Sequence, residues 1–232
     1  QLFNFYKKFY VPNNMVVSIV GDVENVFSKV KNKFESFKTQ ELNLPLIPVQ
    51  KNAKRELLEK RNISQSYFVM GYVVPPRRDK ESLVFDIIRA ILGRGQTGWI
   101  FDEVRNKRGL AYGAGVHLDS AIDNGFICIY VNGHKKNFKE VKSIIFEQFQ
   151  RLQSLSEEEL VNAKKFIEGE FVLEYEDNVE LAEEMAFQEF CTDARDLEKY
   201  IENINEVKLE DVKTVAKKFL NQDYSQSIIE QK

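Results

Sequence analysis

The chain has 232 residues, 43% of them apolar and 12% aromatic, enough to bury a sizeable core as one large domain or as one domain with a fragment of another. Lys and Arg number 33 against 36 Asp and Glu, interspersed to a net charge of −3 with no basic patch to neutralise phosphates, so nucleic acid is not an expected partner. No apolar run approaches the ~18 residues of a membrane span, and QLFNFYKKFY lacks the regions of a signal peptide. The chain opens on Gln1 rather than Met, which reads as a fragment or a matured form. Cys128 and Cys191 sit in apolar settings, FICIY and FQEFC, as free core thiols; a reducing compartment such as the cytoplasm is the one this cysteine usage leans toward.

In chain order, residues 1–9 read as the end of a helix, followed by the turn residues Pro12, Asn13 and Asn14. The apolar run Met15 to Val20, closed by Gly21 and Asp22, predicts a buried strand. Val23, Val26, Phe27, Val30, Phe34 and Phe37 then fall on one helical face. Periodicity stops between Lys38 and Lys54, where Pro45 and Pro48 mark a linker. Strands are expected at Arg55 to Asn62 and at Ser66 to Val74, the second terminated by Pro75 and Pro76. A helix from about Asp79 to Leu92 is broken by Gly93, Gly95 and Gly98, and a short helix from Trp99 to about Lys107 ends at Gly109. Strands Ala111 to Leu118 and Phe126 to Val131 flank a hairpin turn at Asp123, Asn124 and Gly125.

The remainder reads as mostly helical. Val141, Ile144, Ile145, Phe149 and Leu152 mark one amphipathic helix, and Ser156 with Glu159 forms a capping box that opens another. Further helices span roughly Val179 to Phe190 and Leu209 to Phe219, and the chain ends in a strand, Ser225 to Glu230. Alternating blocks with hairpins predict an α+β two-layer sandwich, a mostly antiparallel sheet packed on helices. KKFYVPNNMVVSIV near the start and KKFLNQDYSQSIIE near the end share a helix terminus, a polar turn and a strand. They read either as a repeat, with the tail of one domain preceding a second of the same kind, or as a chance likeness.

Chemistry is sparse. His117 and His134 stand in different contexts, without H-x-x-E-H or H-x-x-H spacing, and no metal site is expected in this chain. No G-x-S-x-G, S-x-x-K or Cys with a nearby His offers a nucleophile, and GRGQTG lacks the closing G-K-[ST] of a phosphate loop. The acidic clusters at 156–159 and 180–184 read as helix starts and solvated faces.

One stretch stands out: GRGQTGWIFDEVRNKRGLAYGAGVHLDSAIDNGFICIYV. With FYKKFYVPNNMVVSIVGDVENVFSKVKNKFESF and SEEELVNAKKFIEGEF, it resembles the C-terminal, non-zinc-binding module of the pitrilysin and mitochondrial-processing-peptidase family of zinc metallopeptidases. The resemblance implies that residues 1–38 finish a preceding homologous domain, that 39–52 are a linker, and that 53–232 form a complete C-terminal domain. It implies that zinc is held by that preceding domain or by a partner subunit, the two halves enclosing a chamber for an unfolded peptide. It assigns substrate-binding roles to Arg105 and Tyr112, the family's Arg and Tyr seven positions apart; Arg108 is a rival that only this spacing sets aside. A guanidinium offers fixed donors to peptide carbonyls, and a phenol can donate to the oxygen that becomes negative as water attacks. Thr97, Gly98, Trp99 and Ile100 depart from the family's usual Ser-Arg-Leu turn, which removes the contact that turn's Arg supplies. The alternatives are a proteolytically inactive scaffold of the same fold, and a stand-alone peptide-binding module.

Overall fold

The computed structural model describes residues 1–42 and 52–232; residues 43–51 of the expected linker lie outside the described residues. The chain divides into two compact units, Pro48–Glu170 with Lys199–Lys232, and Gln1–Ile47 with Phe171–Glu198.

The larger unit is built on a five-stranded sheet of β1 (Arg55–Arg61), β2 (Ser66–Val74), β3 (Ala111–Ser120), β4 (Gly125–Gly133) and β5 (Ser225–Gln231), in the order β1-β5-β2-β4-β3. β1 and β5 run parallel, and every other pairing is antiparallel. Period-2 alternation makes the sheet one-sided. Phe68, Met70, Tyr72 and Val74 of β2 and Ile127, Ile129 and Val131 of β4 are buried in the core, whereas Tyr67, Val69, Phe126 and Tyr130 face outward and are exposed. The core side is covered by α3 (Glu81–Gly93), α5 (Phe138–Arg151), α6 (Glu157–Glu174) as far as Glu170, α8 (Tyr200–Glu206) and α9 (Leu209–Phe219). This is the expected α+β two-layer sandwich. Each core helix contributes a stripe at 3.6-residue spacing, such as Val141, Ile144, Ile145 and Phe149 of α5, all under 6% exposed.

A polar cluster is sealed within this unit. Arg77 Nη1 donates to Asp86 Oδ2 at 2.7 Å, the Tyr200 hydroxyl donates to the same oxygen at 3.1 Å, and the guanidinium lies over the Tyr200 ring. Burial, with Asp86 alongside, pushes the Tyr200 phenol far above its usual range. The expected capping box is present: Ser156 Oγ accepts from the Glu159 amide, and Glu159 Oε2 accepts from the Ser156 amide. Although burial opposes it, hydrogen bonds from Ser156 and Arg151 hold the Glu159 carboxyl below its ordinary value.

The second unit carries α1 (Leu2–Phe9), α2 (Val26–Phe34) and α7 (Asn178–Cys191). Asp177 caps α7, its side chain accepting from the Val179 and Glu180 amides. The strand predicted at Met15 to Val20 is a correction: that segment carries no ladder, and Met15, Val17 and Ile19 are each more than 40% exposed. A strand needs a neighbour, and among the described residues none pairs with it. The helical stretch from Ala194 through Glu206, a 3₁₀ turn running into α8, was not anticipated; it buries Leu197 and Ile204. Neither Cys128 nor Cys191 is in a disulfide, and burial pushes the Cys128 thiol up. Among the described residues no helix is long and apolar enough to cross a membrane.

The two similar segments of the sequence end their helices alike. Tyr10 after α1 has φ −89°, ψ 73°, and Leu220 after α9 has φ −91°, ψ 69°. In each, the cap amide donates four residues back, to Tyr6 and to Ala216. After α9 the chain becomes β5, between β1 and β2; after α1 it becomes the unpaired Met15 to Val20.

Candidate functional site

Arg105 and Tyr112 both stand where the backbone departs from regular geometry. The short helix α4 (Trp99–Phe101) buries all three of its residues and widens into a π-helical turn at Asp102–Lys107. Such turns project side chains off the regular helical period and recur at functional sites. The turn is closed by Gly109 at φ 61°, a left-handed position that glycine takes without a Cβ penalty. The Gly109 and Leu110 amides donate back to the carbonyls of Arg105 and Val104, at 3.1 and 2.9 Å. Asn137 Nδ2 donates to the Leu110 carbonyl at 2.7 Å, pinning the chain as it enters β3.

β3 then begins with a bulge. Ala111 pairs with Gly133 and Gly113 with Asn132, so Tyr112 is the extra residue left out of register. A bulge turns its side chain away from the flat pleat, and Tyr112 is 59% exposed.

The two arginines of RNKRG differ in what holds them. Arg108 is engaged by three carboxylates, Glu103, Glu140 and Glu147, at 3.2 to 3.8 Å. Arg105 is exposed, lies over the Phe101 ring at 5.0 Å, and makes no hydrogen bond or ion pair among the described residues. Its five donors are available to a ligand; those of Arg108 are partly spent on the fold. The Tyr112 hydroxyl likewise has no protein partner among the described residues.

Tyr112 lines a cleft of about 450 Å³ at the end of the sheet, together with Ser66, His134, Lys135, Lys136 and Glu230; Arg105 is not part of that lining. Glu230 is only 3% exposed and is ion-paired with Lys135 and, at 3.4 Å, with Lys60. The Lys135 side chain, with Lys60 adding to it, holds the Glu230 carboxyl below its ordinary range. Sequence reasoning found neither the π turn, the bulge nor this cleft. The signals in the sequence were Gly109, three residues before Tyr112, and the run His134, Lys135, Lys136 at the end of a strand.

No residues here fit a zinc ion. Among the described residues no three His, Cys, Asp or Glu side chains converge. His117 sits on the outward face of β3 against Phe126, ring centroids 5.7 Å apart, and pairs in register with Cys128, whereas His134 lies beyond the opposite end of that strand pair.

A family model described as the peptidase M16 inactive domain matches residues 1–167. An uncharacterized zinc protease of Mycobacterium leprae is 26% identical over 99% of this chain and 54% of its own length. A probable inactive metalloprotease of Bacillus subtilis is 26% identical over 91% of this chain and 51% of its own length. The crystal structure of a protease from Helicobacter pylori, 21% identical, superposes with a TM-score of 0.83 over 99% of this chain and 58% of that one. The chain therefore spans about half the length of the curated relatives it matches.

Proposed function

Because the chain belongs to the peptidase M16 inactive-domain family, we propose that it is the non-catalytic half of a zinc-dependent endopeptidase, closing a chamber around an unfolded peptide. The zinc such chemistry needs would be held by a homologous catalytic half, in the same polypeptide or in a second subunit. In this reading Arg105 donates to carbonyls of the substrate backbone and so fixes its register, and Tyr112 donates its hydroxyl to the scissile oxygen as negative charge develops there.

The observation that carries the reading is the availability of these two groups. Both are exposed, neither side chain has a hydrogen-bond or ion-pair partner among the described residues, and each is presented by a local irregularity of the backbone. The neighbouring Arg108, which fails the family spacing, is tied to three carboxylates.

Residues 1–38 are read as the end of the preceding homologous domain, and 53–232 as the second. The matched caps after α1 and α9 support this, as does the exposure of the N-terminal apolar side chains, Leu2 at 88% and Phe27 at 79%. On the same logic Met15 to Val20 is the counterpart of β5, whose place is between two strands that the upstream half would supply.

The test is steady-state cleavage of an unstructured peptide by the full-length protein, or by its complex with the zinc-binding subunit, carrying Arg105→Ala or Tyr112→Phe. Losing a hydrogen bond to a charged group removes about 1.5–3 kcal/mol, so kcat/KM should fall about 10- to 100-fold. Arg105 contributes only an exposed cation–π contact to the fold, so the Tm should hold. Undiminished turnover in both variants would end the assignment.

A second reading, a scaffold that has lost proteolysis, is favoured by the probable inactive metalloprotease among the relatives. It is separated from the first by the upstream sequence: an H-x-x-E-H motif with a downstream Glu supports the peptidase, and its absence from every partner supports the scaffold.

A further inference from the structure

We infer that the cleft beside Tyr112 is a subsite for a carboxylate of the bound peptide, with Lys136 and His134 as its specificity-determining residues. The inference rests on the proposed role of Tyr112 and extends it to the class of substrate.

The chemistry of the lining decides what fits. The lining sets Lys135 and Lys136 against one carboxylate, Glu230, whose second ion-pair partner, Lys60, lies outside the lining. Glu230 is already engaged by Lys60 and Lys135, so it is not free to attract a cation. Lys136 is exposed and has no ion pair among the described residues, and His134 is exposed beside it. The remaining lining adds donors. Ser66 Oγ accepts from the Gln231 amide at 3.3 Å, which leaves its own proton to give, and the Tyr112 hydroxyl is uncommitted. A cleft whose free groups are donors and whose net charge is positive selects an acceptor bearing negative charge.

The shape agrees. A volume of about 450 Å³ accommodates a carboxylate with its neighbouring peptide unit, and the cleft is open to solvent at the end of the strands rather than roofed. The buried Glu230 has a positioning role. It engages Lys135 and Lys60, so that Lys136, the next residue along in the lining, is the lysine left uncommitted.

Two kinds of peptide group supply this chemistry, an Asp or Glu side chain and the C-terminal carboxylate, and the experiment separates them. Fluorescence anisotropy with the full-length protein, or its complex, in the presence of a chelator measures binding without cleavage. Three labelled peptides of one sequence are compared: a free C-terminus, a C-terminal amide, and an amide with one Gln changed to Glu. A carboxylate-bearing peptide should bind about five- to tenfold tighter than the neutral amide, and the gap should narrow in about 0.5 M salt, where the screening length shortens to about 4 Å. Lys136→Gln, and to a lesser degree His134→Gln, should erase the gap while leaving the neutral peptide's affinity and the Tm unchanged.

Equal binding of all three peptides, or no binding of any, overturns the inference, as does a gap that survives both substitutions. Arg105→Ala, outside the cleft, keeps the two proposals apart. If it weakens all peptides alike and no carboxylate preference exists, only the subsite fails. If the preference stands and it changes nothing, the backbone-binding role fails instead.

Discussion

Gly93→Ala sets two opposing effects against each other at the last residue of α3. Alanine is favoured over glycine inside a helix by up to about 1 kcal/mol, less at a terminus. Gly93, however, packs directly against β3: a Cβ built there would lie 2.6 Å from Val116 Cβ and 3.2 Å from the Val116 backbone nitrogen. Neither of those atoms moves when a side chain rotates, so the helix or the strand must shift. Overpacking of this kind costs about 1–3 kcal/mol, and with no rotamer to relieve it the upper part of that range applies. The net loss is about 1–2 kcal/mol, or a Tm lower by about 2–8 °C for a protein of this size. Urea denaturation followed by the fluorescence of Trp99, the single tryptophan, reports on the same region. The denaturation midpoint should drop with an unchanged slope. A variant as stable as the parent, or more so, would mean that the contact between α3 and β3 is looser than these distances require and that helix propensity wins.

The remaining outcomes concern the buried charges. Arg77→Met leaves Asp86 buried with only the Tyr200 hydroxyl and should cost about 3–5 kcal/mol, whereas Tyr200→Phe keeps the ion pair and should cost about 1–3 kcal/mol; thermal melts that reverse this order would show that the guanidinium is not the main partner. Glu230 has its carboxyl lowered below 4.5 by Lys135, so its contribution to stability is complete above that pH and is lost as the pH falls through the lowered value. Glu230→Gln should therefore melt earlier than the parent at pH 7, with the difference closing as acid is added below pH 4.5. A difference that is the same at pH 7 and pH 3 would show that charge is not what Glu230 contributes.

Much of the architecture is legible in local pattern. β2 is bounded by the residues that alternation and the Pro75–Pro76 doublet mark, α9 by the stripe from Leu209 to Phe219, and α6 by the reciprocal bonds of Ser156 and Glu159. What was misread depends on partners rather than letters. Met15 to Val20 carries the composition of a strand, but a ladder is a property of two segments. The π turn at Asp102–Lys107 and the bulge at Tyr112 are questions of which amide meets which carbonyl, and neither hydrophobic spacing nor composition encodes them. Arg105 was selected over Arg108 by family spacing alone. In the structure the charge of Arg108 is already met by Glu103, Glu140 and Glu147. The cleft at the sheet end gathers residues from four separate stretches of chain, and no scan along the sequence brings Glu230 next to Lys135.

The position of β5 has a bearing on how this molecule is made. Among the described residues β1 pairs only with β5, with Arg55 opposite Ser225, and β5 also separates β1 from β2. While the chain is still emerging from the ribosome, β1 has nothing to bond with and the flank of β2 stands bare. Closure of this sheet therefore waits until β5 has been made, at the cost of the loop entropy of almost the whole unit, and until then a chaperone has an open strand edge to protect.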